Sequence, residues 1–182
     1  MITFDSEKCF EDLLFENQTI IIDSLSLAED TKIIRQVPLT PYGICDLLCI
    51  SGQNITDTVK YLKIDLIELK NTPLKSEHII QCARYKTFFD NLNLDGYEIE
   101  FSCHLIGMAT FKTDLSDLVL LCQSIEWLSV YECILHPLEG IQFKLTEGWG
   151  KFSKEEKLET NFDEKIIAFI EETVTGINHE VV

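Results

Sequence analysis

Apolar positions recur with helical spacing at the start of the chain and with strand spacing soon after. Residues 5–16, DSEKCFEDLLFE, set Phe10, Leu13 and Leu14 on one stripe and predict an amphipathic helix, with Asp5 or Ser6 able to cap its start. The next segment, TIIIDSLSLAED, is a short apolar run passing into a turn-rich polar patch. Thr31 to Pro38, carrying Ile33, Ile34 and Val37, predicts a strand ended by the TPYG turn at 40–43. Ile44 to Ser51 predicts a second strand, almost wholly apolar except for Asp46, and SGQNITDT at 51–58 reads as a connection. Tyr61 to Leu69 predicts a third strand, which breaks at Asn71-Thr72-Pro73.

A helix is expected from about Ser76 to Asn91, with Ser76 and Glu77 set against its positive start. YEIEFSCHLIGMA, after Gly96, reads as a strand. The rich apolar stretch 115–136 divides into a strand or short helix at 117–126 and a strand at 127–135, stopped by His136-Pro137. Ile141 to Leu145 is a further strand, paired back across the PLEG turn. A final helix at 154–173 would turn Leu158, Phe162, Ile166, Ile167, Phe169 and Ile170 to a core. Helix, three strands, helix, strands, helix favours a mixed α/β (α+β) fold, a central mixed sheet flanked by helices, over an all-β sandwich. A length of 182 residues suits one domain spanning 1–182.

Composition narrows this picture modestly. At 46% apolar residues, with 8 glycines and 4 prolines, general disorder and linker-like tracts are excluded. The opening MITFDSEKCF lacks the layout of a secretory signal, and no apolar run approaches membrane-spanning length. Seven widely spaced cysteines, without a CxxC pair, read as buried free thiols rather than a disulfide framework or a zinc site, and point to the reducing cytoplasm.

Charge changes the picture more. The formal net is −16, and it is unevenly spread: residues 1–86 hold 9 Lys/Arg against 13 Asp/Glu, a net of −4, and residues 87–182 hold 6 against 18, a net of −12. A protein that binds duplex DNA unaided normally carries a basic footprint. Here the basic residues must gather locally, or a homodimer mate or other protein partner must supply basic surface, or nucleic acid is not the ligand.

The polar residues that interrupt the strands carry the candidate chemistry. In IDLIELK, period 2 points Glu68 and Lys70 to one side, and a buried strand seldom ends with an acid and a base on one face. Asp46 likewise interrupts GICDLLCI, where an apolar residue would pack more easily. If the two strands are neighbours, Asp46 and Glu68 bring two carboxylates within a few ångströms. Such a pair repels itself and is best held by an oxygen-preferring divalent cation, Mg²⁺ or Mn²⁺. Lys70 can then assist the attacking water or neutralise a phosphate as charge builds on it. Gln81 and Tyr85, four apart, share a helix face and can hold a phosphate, orient Lys70 or touch a base. Glu11, ahead of Glu16, is the preferred third metal carboxylate from the first helix.

Asp46 within YGICDLLCI, Glu68 and Lys70 within IDLIELK, and the QxxxY element Gln81 to Tyr85 together resemble the PD-(D/E)xK nuclease superfamily, with its restriction-endonuclease-like fold. The likeness covers about residues 7–90, with 97–175 as a strand and helix elaboration. It implies a core sheet with helices on both sides, metal-binding acids, a catalytic lysine and a helix carboxylate, which Glu11 would supply. Cys45 stands where the family pattern has proline. The implied activity is Mg²⁺-dependent phosphodiester hydrolysis of nucleic acid, DNA before RNA. The alternative is a non-catalytic interaction protein of the same fold that binds a basic partner or serves as a complex subunit.

The remaining candidates have plainer readings. His78 is expected on solvated surface and His104 as a satisfied core or edge histidine. Trp127 and Trp149, with Tyr131 and Phe143, are expected to pack, with an aromatic ledge for bases as the lesser alternative. No GxGxxG or GxxxxGK[ST] occurs, so dinucleotide and nucleoside-triphosphate binding lack support.

Overall fold

A computed structural model of the chain describes residues 4–54, 60–92, 97–109, 118, 121–136 and 140–147. The expected helix at 154–173 and Trp149 lie outside them.

The chain forms a mixed α/β fold, a six-stranded sheet flanked by three helices among the described residues. Helix α1 spans Glu7–Glu16, α2 Gln18–Leu25 and α3 Ser76–Asp90. The strands are β1 Lys32–Leu39, β2 Gly43–Asn54, β3 Lys60–Lys70, β4 Tyr97–Met108, β5 Leu128–His136 and β6 Gly140–Glu147. They lie side by side in sequence order. β1, β2 and β3 meander antiparallel, β3, β4 and β5 run parallel, and β6 pairs antiparallel with β5. The parallel β3–β4 step needs a crossover, and α3 supplies it.

Each sheet face buries its own apolar layer. Leu48, Ile50, Leu62, Ile64, Leu66 and Leu105 meet Ile79, Cys82, Tyr85 and Phe89 of α3 on one side. Leu47, Cys49, Ile67, Leu69 and Ile106 meet Phe10, Leu14, Ile21 and Leu25 of α1 and α2 on the other. Ser6 caps α1, its Oγ accepting from the Cys9 N–H at 3.1 Å. All seven cysteines are free thiols, six of them buried and Cys9 exposed. No helix among the described residues is long and apolar enough to cross a membrane.

Local pattern misleads in three places. QTIIIDSL has four successive β-branched residues, Thr19 to Ile22, yet it is helical, because Ile21 and Leu25 are one turn apart and bury together while Ser26 closes the helix in the left-handed region at φ 54°. β2 continues through Ser51–Asn54, expected as a connection. That polar segment pairs with Lys60–Lys63, and Gly52 lets the strands close, since a Cβ there would lie 2.8 Å from the Tyr61 carbonyl oxygen. Third, the two-residue alternation changes phase in mid-strand. Cys45 faces α3 and Leu47 faces α1, although residues two apart normally share a face; on β1, Ile33 and Val37 divide in the same way. The change coincides with Gln36, at φ 52°, standing opposite Asp46. The ladder skips this pair while Arg35–Leu47 and Val37–Cys45 keep one register on either side.

Candidate acidic centre

β2 and β3 are paired neighbours up to Leu47–Ile67, and Asp46 and Glu68 are the next residue on each strand. The phase change frees Asp46 from either apolar layer. Its Oδ2 accepts the Leu69 N–H at 2.7 Å, and its Oδ1 faces the Gln36 amide nitrogen at 3.4 Å. Glu68 is 1% exposed. Its Oε1 accepts from Lys70 Nζ at 2.6 Å, and its Oε2 is buried with no hydrogen-bond partner. Lys70 Nζ also reaches Glu7 Oε1 at 3.3 Å. The centre therefore forms at the carboxyl end of β3, where its parallel neighbour β4 also ends, a usual place for sites in sheets with parallel strands.

Electrostatics follow from this burial. Desolvation pushes the Glu68 carboxyl up to about 8, the nearby Asp46 charge adds to the rise, and Lys70 opposes it. Desolvation also lifts Asp46 to about 6, against the Leu69 N–H and Lys70. For Lys70 burial acts downward, but Glu68, Glu7 and Asp46 outweigh it and its pKa is raised. The ammonium is held charged between acids.

Glu11 is buried from α1 and held by other groups. Arg35 Nε donates to its Oε1 at 2.8 Å, and Gln36 Nε2 donates to its Oε2 at 2.5 Å. Arg35 also bonds Asp12 at 2.5 Å and lies over the Phe15 ring, 5.1 Å from its centroid. Glu16 is exposed.

Gln81 and Tyr85 face inward. Gln81 Nε2 donates to Tyr85 Oη at 2.7 Å, and that hydroxyl donates to the Ile44 carbonyl at 2.7 Å. Tyr85 is fully buried, and its ring fills the space where a side chain on Gly43 would stand (a Cβ there would meet it at 3.2 Å). The pair thus pins the start of β2, two residues before Asp46, with the tyrosine hydroxyl already engaged. Burial raises that hydroxyl's pKa well above the usual range.

Other expectations are corrected. His78 is buried, not solvated: its Nδ1 accepts the Lys75 N–H at 3.1 Å at the start of α3, and burial with nearby Lys70 lowers its pKa. His104 is only half satisfied, with Nε2 3.0 Å from Asp65 Oδ1 and Nδ1 buried without a partner. The expected packing of the aromatics holds for the described ones: Trp127 packs on the α3 side of the sheet and Tyr131 and Phe143 pack on the other.

Three site residues escaped sequence reasoning. Glu7 is four residues before Glu11 and so shares its helix face, a signal available in EKCFE. Arg35 and Gln36 form a polar doublet inside an apolar strand, a break of the kind that singled out Asp46. Among the described residues no group of three or more His, Cys, Asp or Glu is arranged to hold a metal ion. No family model, curated protein or solved structure matches this chain.

Proposed function

We propose that the Asp46–Glu68–Lys70 centre hydrolyses phosphodiester bonds of nucleic acid, DNA in the first instance, with Mg²⁺ or Mn²⁺. One observation carries the reading: Glu68 Oε2 lies buried and unpartnered, on a carboxylate that feels the Asp46 charge and is bonded to Lys70. An orphaned anionic oxygen costs free energy unless a proton or cation meets it. The donors, carboxylate oxygens, suit a hard cation that takes oxygen ligands. Asp46 and Glu68 would hold it, with Glu11 as the third carboxylate. A bound Mg²⁺ supplies Lewis-acid polarisation of the phosphate and a lowered pKa for water. Lys70, kept charged by Glu68 and Glu7, stabilises negative charge gathering on the phosphate or orients the attacking water. Gln81 and Tyr85 position the strand that carries Asp46. A homodimer mate or protein partner supplies the basic surface that a chain of net charge −16 lacks on average.

A second reading, a non-catalytic subunit or a protein that binds a basic partner, is favoured by a specific observation. Both oxygens of Glu11 and both of Asp46 already face donors of this chain, and no three-ligand group stands ready. As the side chains now stand, that internal pairing sits closer to the second reading, and metal use requires some donors to withdraw.

Activity separates the two. The first expects single- or double-stranded DNA or RNA to be cut with Mg²⁺ or Mn²⁺ and not with a chelator, and Asp46→Ala, Glu68→Ala and Lys70→Ala each to abolish cutting while circular dichroism is unchanged. Cutting that survives all three changes places the activity elsewhere. No cutting of any substrate, with metal-independent binding of polylysine, selects the second.

A further inference from the structure

The Gln36 side chain stands where the acids of α1 and β2 meet. Its amide nitrogen has two N–H donors, and one acid oxygen faces it from each side: Glu11 Oε2 at 2.5 Å and Asp46 Oδ1 at 3.4 Å. Both acids are buried, at 3% and 8% exposure, whereas Gln36 itself is exposed. The amide thus covers two anionic oxygens from the solvent side. Resting on the reading of this centre as a cation site, we infer that the Gln36 amide is a built-in stand-in for the cation, holding Glu11 and Asp46 in the metal-free chain and leaving when metal enters.

Three observations support it. The first is spatial. The two oxygens are at most about 6 Å apart across the nitrogen, whereas oxygens sharing one Mg²⁺ at about 2.1 Å each are about 4 Å apart or nearer. Amide nitrogen and cation cannot occupy that space together, and an N–H edge cannot ligate a cation. The second is conformational. Gln36 is held at φ 52°, a costly region for a non-glycine residue, by strand pairing that keeps register on both sides. The backbone is fixed by the sheet, so the exposed side chain can swing into water without unpairing β1 from β2. The third is the orphaned Glu68 Oε2, which marks an unmet need for positive charge beside Asp46 that the neutral amide does not supply.

A competing internal partner lowers apparent metal affinity by the fraction of molecules it closes. Removing it therefore tightens binding, and this separates the inference from the proposed function. The full-length wild type is compared by Mn²⁺ titration calorimetry with Gln36→Met, which keeps length without a donor, and Gln36→Gly, which suits the left-handed backbone. Glu68→Gln reports on the cation site itself. The expected result is about three- to tenfold tighter Mn²⁺ binding in the Gln36 variants and loss of binding in Glu68→Gln. In the wild type, Mg²⁺ titration followed by NMR should move the Gln36 side-chain amide signals to the positions of a solvated amide. If the wild type binds Mn²⁺ and Glu68→Gln does not, but folded Gln36 variants bind no tighter or the Gln36 signals stay put at Mg²⁺ saturation, the stand-in role is wrong and the cation site survives. If the wild type and the Gln36 variants all ignore Mn²⁺, or Glu68→Gln binds as well as the wild type, the cation site fails and the inference goes with it.

Discussion

Glu68→Gln, measured in the absence of metal, should change stability in a strongly pH-dependent way. Burial, with Asp46 nearby, raises the Glu68 carboxyl from 4.5 to about 8. In the window between those values the folded chain holds a proton that the unfolded chain has released, so stability falls as pH rises. The contribution is fully present below the unfolded value and is lost as pH climbs through the folded one. At about 1.4 kcal/mol per pKa unit, the whole shift corresponds to roughly 5 kcal/mol as a ceiling. Glutamine has the shape of the protonated acid and cannot ionise. It also brings an extra N–H pair into a buried space, at a cost of about 1–3 kcal/mol. Near pH 5 the variant should therefore match the wild type or be about 1–2 kcal/mol less stable; near pH 8.5 it should be more stable by about 1–3 kcal/mol. Urea unfolding at several pH values, with a chelator present, measures the difference directly. A Glu68→Gln effect constant to within about 0.5 kcal/mol across the range would refute the claim that Glu68 carries an under-compensated buried charge.

Three further changes probe the groups around the centre. Tyr85→Phe should cost about 1–2 kcal/mol in denaturant unfolding, because the Ile44 carbonyl and the Gln81 amide lose their shared partner; an unchanged midpoint would show that this chain of bonds does not hold β2. Arg35→Ala should lower the urea-unfolding midpoint near neutral pH, since buried Glu11 and its neighbour Asp12 lose a common cation; an unchanged midpoint would show that this cation does not hold α1 to β1. Gly107→Val should destabilise by about 1–3 kcal/mol or more in thermal or urea unfolding, because even a Cβ at 107 would sit 2.4 Å from Leu74 Cγ, where the link from β3 to α3 crosses β4; wild-type stability would mean that this link shifts freely.

Much of the fold was legible because local periodicity and tertiary burial agree. Phe10 and Leu14 lie one turn apart on α1 and are both buried, and the β3 run Leu62–Leu69 supplies alternate residues to both sheet faces. Asp46, Glu68 and Lys70 stood out because charge inside an apolar strand is costly, and such residues need a partner or a role. Period 2 alone put Glu68 and Lys70 together, and their atoms meet at 2.6 Å.

The rest was decided by the tertiary structure. QTIIIDSL has strand-forming residues, but its place over the β-sheet rewards burial of Ile21 with Leu25, one helical turn apart, and packing outweighs propensity. Gln81 and Tyr85 share a helix face by spacing, but whether that face meets solvent or the start of β2 depends on how α3 crosses the sheet. The local pattern also could not place Arg35, Gln36 and Glu7 around the acids, because those contacts join segments 10 to 63 residues apart. The sequence by itself determined which residues carry chemistry and which strand face Glu68 and Lys70 share, since both follow from side-chain type and a two-residue period. Only the assembled sheet decided that the strand ends bearing Asp46 and Glu68 lie side by side, that β1 and β2 change phase at Gln36 and Asp46, and that one Glu68 oxygen is left bare, because register and burial are set between strands and not along them.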